Sequence, residues 1–164
     1  MATSHSARLD FAADPAQAFA LLTDPAYVEQ VSVATGGHEP EVSVEVTPDG
    51  AGTITSVRSL PAEVPSYAKP LVGDPIRLTE TRALGVADDD GTRDGTFAVS
   101  FGSAPVAITG TLRLRPEGAG STLLVEMSVK ASVPFVGGKV ERFCAEQIER
   151  ALAKEQEIIA TRLG

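Results

Sequence analysis

The sequence has no tryptophan or asparagine, one cysteine at position 144, only two histidines, and no long apolar run. Each scarcity removes a class of function. A lone cysteine cannot close an internal disulfide, so the staple common in small secreted domains is missing and a reducing, cytoplasmic setting is expected. His5, His38 and Cys144 give no ligand spacing for zinc, and no metal is expected. No stretch approaches the roughly 18 apolar residues of a membrane span, and residues 1–10 lack the apolar centre of a signal peptide, so stable membrane insertion is not expected. Positive charge is also short: 14 Lys and Arg face 22 Asp and Glu, a net charge of −8. Such a surface repels phosphate backbones, which argues against a nucleic-acid partner. Gly36-Gly37 and Gly137-Gly138 lack the flanking pattern of a phosphate-binding loop, and no cofactor is expected.

What remains is an ordinary globular composition, 43% hydrophobic and 22% charged over 164 residues, read as a single domain spanning 1–164. Residues 4–11 alternate, with Ala7, Leu9 and Phe11 on one side, as in a half-buried strand. Asp14-Pro15 and Asp24-Pro25 each set a capping carboxylate before a proline at the first helical position, which predicts short helices over 15–22 and 25–30. From 39 to 132 the pattern is strands joined by short turns, over about 42–46, 53–60, 76–84, 95–101, 106–115 and 122–132, so the sheet is antiparallel. Residues 61–75 interrupt this run with four prolines and apolar Val64, Tyr67, Leu71 and Val72, and are expected to form a partly helical flap turned inward. Residues 139–163 predict one long helix with Val140, Cys144, Ile148, Ala151, Leu152, Ile158 and Ile159 in one arc.

Three stretches sharpen this order of elements: Phe19-Ala-Leu-Leu-Thr-Asp-Pro25, Pro61-Ala-Glu-Val-Pro65 and Val133-Pro-Phe-Val-Gly-Gly-Lys-Val-Glu-Arg-Phe143. They resemble a family known as domain of unknown function 2505. The whole order is similar to the START, polyketide-cyclase and lipid-transport superfamily (SRPBCC). The resemblance covers nearly the whole chain. It implies an α+β helix-grip fold, in which a curved antiparallel sheet of six to seven strands wraps around a long C-terminal helix, with two short helices after strand one. It also implies a cavity between sheet and helix that takes a lipid, sterol, polyketide or plant hormone, with catalysis in only some branches. The superfamily shares no catalytic motif, so no catalytic residue carries over.

Strand parity gives the expected lining: Val42, Val44, Phe97, Val99, Phe101, Ile108, Leu112, Val125, Met127 and Val129. Mostly aliphatic walls suit a flexible acyl or isoprenoid-like group better than a planar ring. Parity also turns Arg58, Glu80 and Arg82 inward, and the arc of the long helix contains Glu155, flanked by Gln147. A charge in an apolar enclosure must be paired, hydrated or used, because its desolvation otherwise costs several kcal/mol. These four are therefore candidates to orient a ligand, alongside Phe97, Val99, Phe101 and Met127 on the sheet and Tyr67 and Leu71 on the flap. Against this stand a bulge that reverses parity and a merely structural Arg–Glu pair at the rim. The expected function is binding or carriage of a small hydrophobic molecule. The alternatives are a cyclase, dehydratase or hydrolase using Glu80 or Glu155 as acid or base, and a protein-interaction module similar to the superfamily's co-chaperone branch. Cys144 is expected in the core, and Asp88-Asp89-Asp90-Gly91 at a solvated hairpin tip, because the alternating pattern of a calcium loop fails at Val86 and Phe97. The oligomeric state is left open.

Overall fold

The computed structural model describes residues 2–163. Seven strands form one sheet: β1 (Thr3–Phe11), β2 (His38–Val46), β3 (Gly52–Leu60), β4 (Ile76–Leu84), β5 (Arg93–Ser100), β6 (Val106–Glu117) and β7 (Gly120–Ala131). Their spatial order is β1-β7-β6-β5-β4-β3-β2, every neighbouring pair antiparallel. The strands β1 and β2 are thus adjacent in sequence but lie at opposite edges of the sheet. The chain must cross from one edge to the other, and it does so through α1 (Pro15–Leu22) and α2 (Pro25–Ala34).

Both helices start as their Asp-Pro pairs dictate. The Asp14 carboxylate accepts the Gln17 N–H at 2.8 Å, and the Asp24 carboxylate accepts the Ala26 N–H at 3.0 Å. The second helix runs four residues past the expected end at 30. Its stop lies later, where the Thr35 N–H donates to Val31 O and Gly36 takes a left-handed φ of 96°. The long helix α3 (Gly137–Leu163) begins two residues earlier than periodicity alone places it, with both glycines inside its first turn. At about 1.5 Å per residue it is roughly 40 Å long. β5 starts at Arg93, two residues before the expected 95, and β6 and β7 extend to a tight turn at 118–119, because the β6–β7 ladder stays in register out to Glu117 and Gly120.

The inner face of the sheet has two halves. On β1, β6 and β7, the side chains of Leu9, Ile108, Leu114, Leu123 and Val129 are at most 1% exposed, closed over by α1 and α3. These residues form a solid core, whereas Val106 and Leu112 of β6 and Val125 and Met127 of β7 reach the space described next. On the other half, β3, β4 and β5 face α3 across a space roofed by residues 61–75, which contain a single 3-10 turn at Lys69–Leu71. Two pairs in the expected lining fall outside that space. Val42 and Val44 are half-buried on edge strand β2, which α2 covers, while Ile108 and Val129 belong to the solid core.

Candidate functional site

The space between β3–β7, the flap and α3 is a cavity of about 350 Å³. Its walls are mostly apolar. Phe97, Val99, Phe101 and Met127 line it from the sheet, Leu71 and Val72 from the flap, and Ile148 and Leu152 from α3. Phe97 is fixed by a gap in the neighbouring strand: it sits opposite Gly110, where a Cβ would fall 2.5 Å from its ring. Of the candidate residues read from the sequence, all but Tyr67 reach the cavity wall. Tyr67 is half-buried against the hydrophobic core, with Lys139 Nζ 6.0 Å from the centre of its ring. Cys144 packs against the hydrophobic core from α3, partly buried, and also lines the cavity, and burial pushes its thiol up to about 11.

One end of the cavity is charged. β3 and β4 pair without a break from Gly52–Leu84 to Leu60–Ile76, so Ser56 stands opposite Glu80 and both point inward, as do Arg58 and Arg82 two residues along each strand. Glu155, 2% exposed, meets them from α3. Arg82 donates Nη1 and Nη2 to the two oxygens of Glu155 at 2.9 and 2.8 Å, and Nε to Glu80 at 3.0 Å. Arg58 Nη1 donates to Glu80 at 3.4 Å and to Ser56 Oγ at 3.1 Å. Sequence reasoning missed two further members, both on α2. The Tyr27 hydroxyl donates to Glu155 at 2.6 Å, and Ser32 shares a 2.8 Å hydrogen bond with Ser56 while donating to Val28 O. Neither was readable, because a tyrosine and a serine on a short amphipathic helix look like ordinary core and surface residues.

The network fixes its own protonation. Burial alone would raise the Glu80 carboxyl, but Arg82 and then Arg58 outweigh it and hold Glu80 below its ordinary value. Burial would lower Arg82, and Glu155 and Glu80 reverse that and raise it well above its ordinary value. Tyr27 is driven upward by burial and then by the charge of Glu155, so it stays a hydroxyl donor. Both inward carboxylates are therefore clamped: Glu155 by the Arg82 fork and Tyr27, Glu80 by two guanidinium groups.

A further buried carboxylate escaped the sequence. Glu141, 4% exposed, accepts the Ala131 N–H at 3.0 Å and the Thr3 hydroxyl at 2.9 Å, tying α3 to β7 and β1. The Ala131 N–H holds its carboxyl below the ordinary range. It lies outside the cavity. Among the described residues no three His, Cys, Asp or Glu side chains converge to hold a metal, and Asp88 spends an oxygen on the N–H groups of Asp90 and Thr92 in its own exposed turn. Among them, too, no helix is long and apolar enough to cross a membrane.

A family model described as "Protein of unknown function (DUF2505)" matches residues 6–163. Uncharacterised proteins of Mycobacterium tuberculosis and Mycobacterium bovis are 33% identical over 69 residues, 41% of this chain, and the match spans 40% of their own length. Among solved structures, TTHA0849 of Thermus thermophilus superposes with a TM-score of 0.62 at 17% identity, covering 99% of this chain and 100% of that one. Truncated norcoclaurine synthase of Thalictrum flavum superposes with a TM-score of 0.59 at 16% identity, covering 99% and 94%. A point mutant of that enzyme has been solved with a transition-state analogue. At such identities the likeness establishes the helix-grip fold and nothing finer.

Proposed function

The chain belongs to the DUF2505 family of proteins of unknown function, built on the helix-grip scaffold of the SRPBCC superfamily, and from that premise we propose that it binds and carries a small hydrophobic ligand between the sheet and α3. The observation that carries this reading is the cavity. At about 350 Å³ it falls within the roughly 300–1,000 Å³ of small-molecule sites, and its walls are mostly apolar, with one charged end and Glu63 on the flap. Aliphatic side chains with two or three aromatic rings favour a flexible acyl, polyketide or isoprenoid-like body over a flat polycycle. Phe97, Val99, Phe101, Met127 and Leu71 would enclose that body, and Arg58, Glu80, Arg82 and Glu155 would face its polar end.

Two geometric facts count against the other readings. An acid–base enzyme needs a carboxyl free to take or give a proton, and both Glu80 and Glu155 are held by arginine. An interaction module needs a contiguous exposed apolar patch, whereas Val33, Val46, Val86 and Phe135 are exposed on four separate elements or loops. Native mass spectrometry of the protein purified from its own host tests the proposal. The expected result is a small-molecule adduct that extracts into organic solvent, and a thermal shift with acyl or isoprenoid compounds. Protein without adduct, and no shift across a broad lipid panel, would overturn it.

A further inference from the structure

The apolar end of the cavity lies under a part of the surface unlike the rest of the molecule. Phe101 and Val106, which line the cavity, flank the turn from β5 to β6, and Val140, which also lines it, stands in the first turn of α3. The turn at 101–105 and the loop at 132–138 are joined by the Ser132 N–H, which donates to Pro105 O at 2.9 Å. Neither segment carries a charged residue, in a chain with 22 acidic ones. Phe135 stands fully exposed on the second, and its φ of 69° is a left-handed backbone that residues other than glycine rarely adopt. Holding a phenyl ring in water on a strained backbone costs the folded chain and returns nothing within it.

Positive charge collects around this tip. Lys130 is exposed near the end of β7, and Lys139 and Arg142 are exposed on the first two turns of α3. Lys69 is exposed on the flap two residues past Tyr67, whose ring centre lies 6.0 Å from Lys139 Nζ. Three of the four lysines therefore sit at one end of a molecule whose net charge is −8. The acidic residue between Lys139 and Arg142 is turned inward: Glu141 is 4% exposed and accepts from Thr3 and the Ala131 N–H. The N-terminus of α3 adds its own partial positive charge. A lone aromatic ring between ammonium groups matches the boundary of a bilayer, where the ring meets acyl chains and the cations stay with the phosphates. A protein partner would need upward of about 1,000 Å² of buried surface, and the other exposed large apolar side chains among the described residues, Val33, Val46 and Val86, lie on other elements.

We propose that loops 101–105 and 132–138 form a tip that docks reversibly on an anionic lipid bilayer, with Phe135 at the acyl boundary and Lys69, Lys130, Lys139 and Arg142 against the phosphates. The docking is peripheral and sets the apolar end of the cavity against the membrane. It rests on the binding reading only for its purpose, because vesicle binding is measured on the chain without ligand. Co-sedimentation of the full chain with vesicles of phosphatidylcholine alone, and of equal parts phosphatidylcholine and phosphatidylglycerol, reads it directly. The expected result is binding at least about tenfold tighter to the mixed vesicles in ~0.1 M salt, an advantage lost in ~1 M salt as the screening length falls from about 10 to about 3 Å. Phe135→Gly suits the left-handed backbone, so it should keep or raise the melting temperature while weakening vesicle binding about tenfold or more. Reversing charge at Lys130→Glu and Lys139→Glu together should remove the preference for phosphatidylglycerol with little change in melting temperature. No binding to the mixed vesicles, or equal binding by wild type and Phe135→Gly, would overturn the proposal, whatever the cavity holds. A wild-type dimer in analytical ultracentrifugation that Phe135→Gly converts to a monomer, without vesicle binding, would assign the tip to a second copy of the chain and overturn it as well.

Discussion

Replacing Glu155 by leucine removes the acceptor of two hydrogen bonds from Arg82 and one from Tyr27, at a position only 2% exposed. The side-chain volume is nearly kept, so the loss is electrostatic and not a cavity effect. Removing one partner of a buried ion pair costs about 3–5 kcal/mol, and an orphaned buried hydroxyl about 1–3 kcal/mol more. Two features pull the sum down. Arg82 keeps Glu80 at 3.0 Å, and its side chain is 16% exposed toward the cavity. The expected cost is therefore about 3–4 kcal/mol, which for a chain of this length lowers the melting temperature by roughly 10 °C. Urea unfolding followed by far-ultraviolet circular dichroism measures it, since the chain has no tryptophan. The double variant Arg82→Met with Glu155→Leu removes the stranded charge as well and should lose less than the sum of the two single changes, by about 2 kcal/mol or more. A Glu155→Leu cost under about 1 kcal/mol, or a strictly additive double variant, would refute the claim that these groups act as one buried unit.

The remaining predictions use the same structure. Glu80 is held below its ordinary value of 4.5, so its contribution to stability is complete above that pH and is lost as pH falls through the lower folded value. The stability gap between wild type and Glu80→Gln, read from urea midpoints, should therefore be wide at pH 7 and narrow well below pH 4.5. Gly110→Ala places a Cβ 2.2 Å from Glu126 O and 2.5 Å from the Phe97 ring, and should cost about 2 kcal/mol or more. An unchanged thermal melt would show that the Phe97 ring is not held where it lies. Leu71 lines the cavity from the flap, so Leu71→Ala should speed stopped-flow release of a fluorescent fatty acid several-fold with little change in association. Equal release rates with a lowered melting temperature would make the flap an ordinary packed loop.

Much of the fold was legible because its signals are local. The Asp-Pro pairs start α1 and α2, and one arc of apolar residues marks α3, so element type and order follow from neighbours within a turn or two. Parity could place Arg58, Glu80 and Arg82 inward because the β3–β4 ladder contains no bulge to invert it. The end of α2 was not legible, since Val31 and Val33 lower helix propensity without breaking it and the true stop is the left-handed Gly36. The outer edge of the cavity was not legible either. Val42 and Val44 have the same parity and polarity as a cavity wall, and only the path of α2 across β2 covers them. Tyr67 has an apolar body in a flap of breakers, yet it packs against the core near Lys139 and does not line the cavity. Tyr27 bonds to Glu155 across 128 residues, a contact no window of sequence contains.

The place of the charged network also accounts for a cavity that stays open. Hydrophobic contact is non-directional, and a sheet face and helix face lined with leucine and valine are satisfied by closing on each other, as β1 and β7 do with α3. Hydrogen bonds are satisfied only at fixed distances and angles. The Glu155–Arg82–Glu80–Arg58 chain spans from α3 to β4 and β3, and Tyr27 and Ser32 pin α2 to the same groups. Its members cannot move together or apart by more than a few tenths of an ångström without losing partners, so the helix is held at a set height over β3–β5 while the opposite half packs tight. On this argument Arg82→Met with Glu155→Leu should retain more stability than either single change yet bind hydrophobic ligand more weakly, because the apolar replacements can collapse into the space. A double variant that binds the fluorescent fatty acid as tightly as the wild type would show that the sheet and flap, and not the charged strut, keep the cavity open.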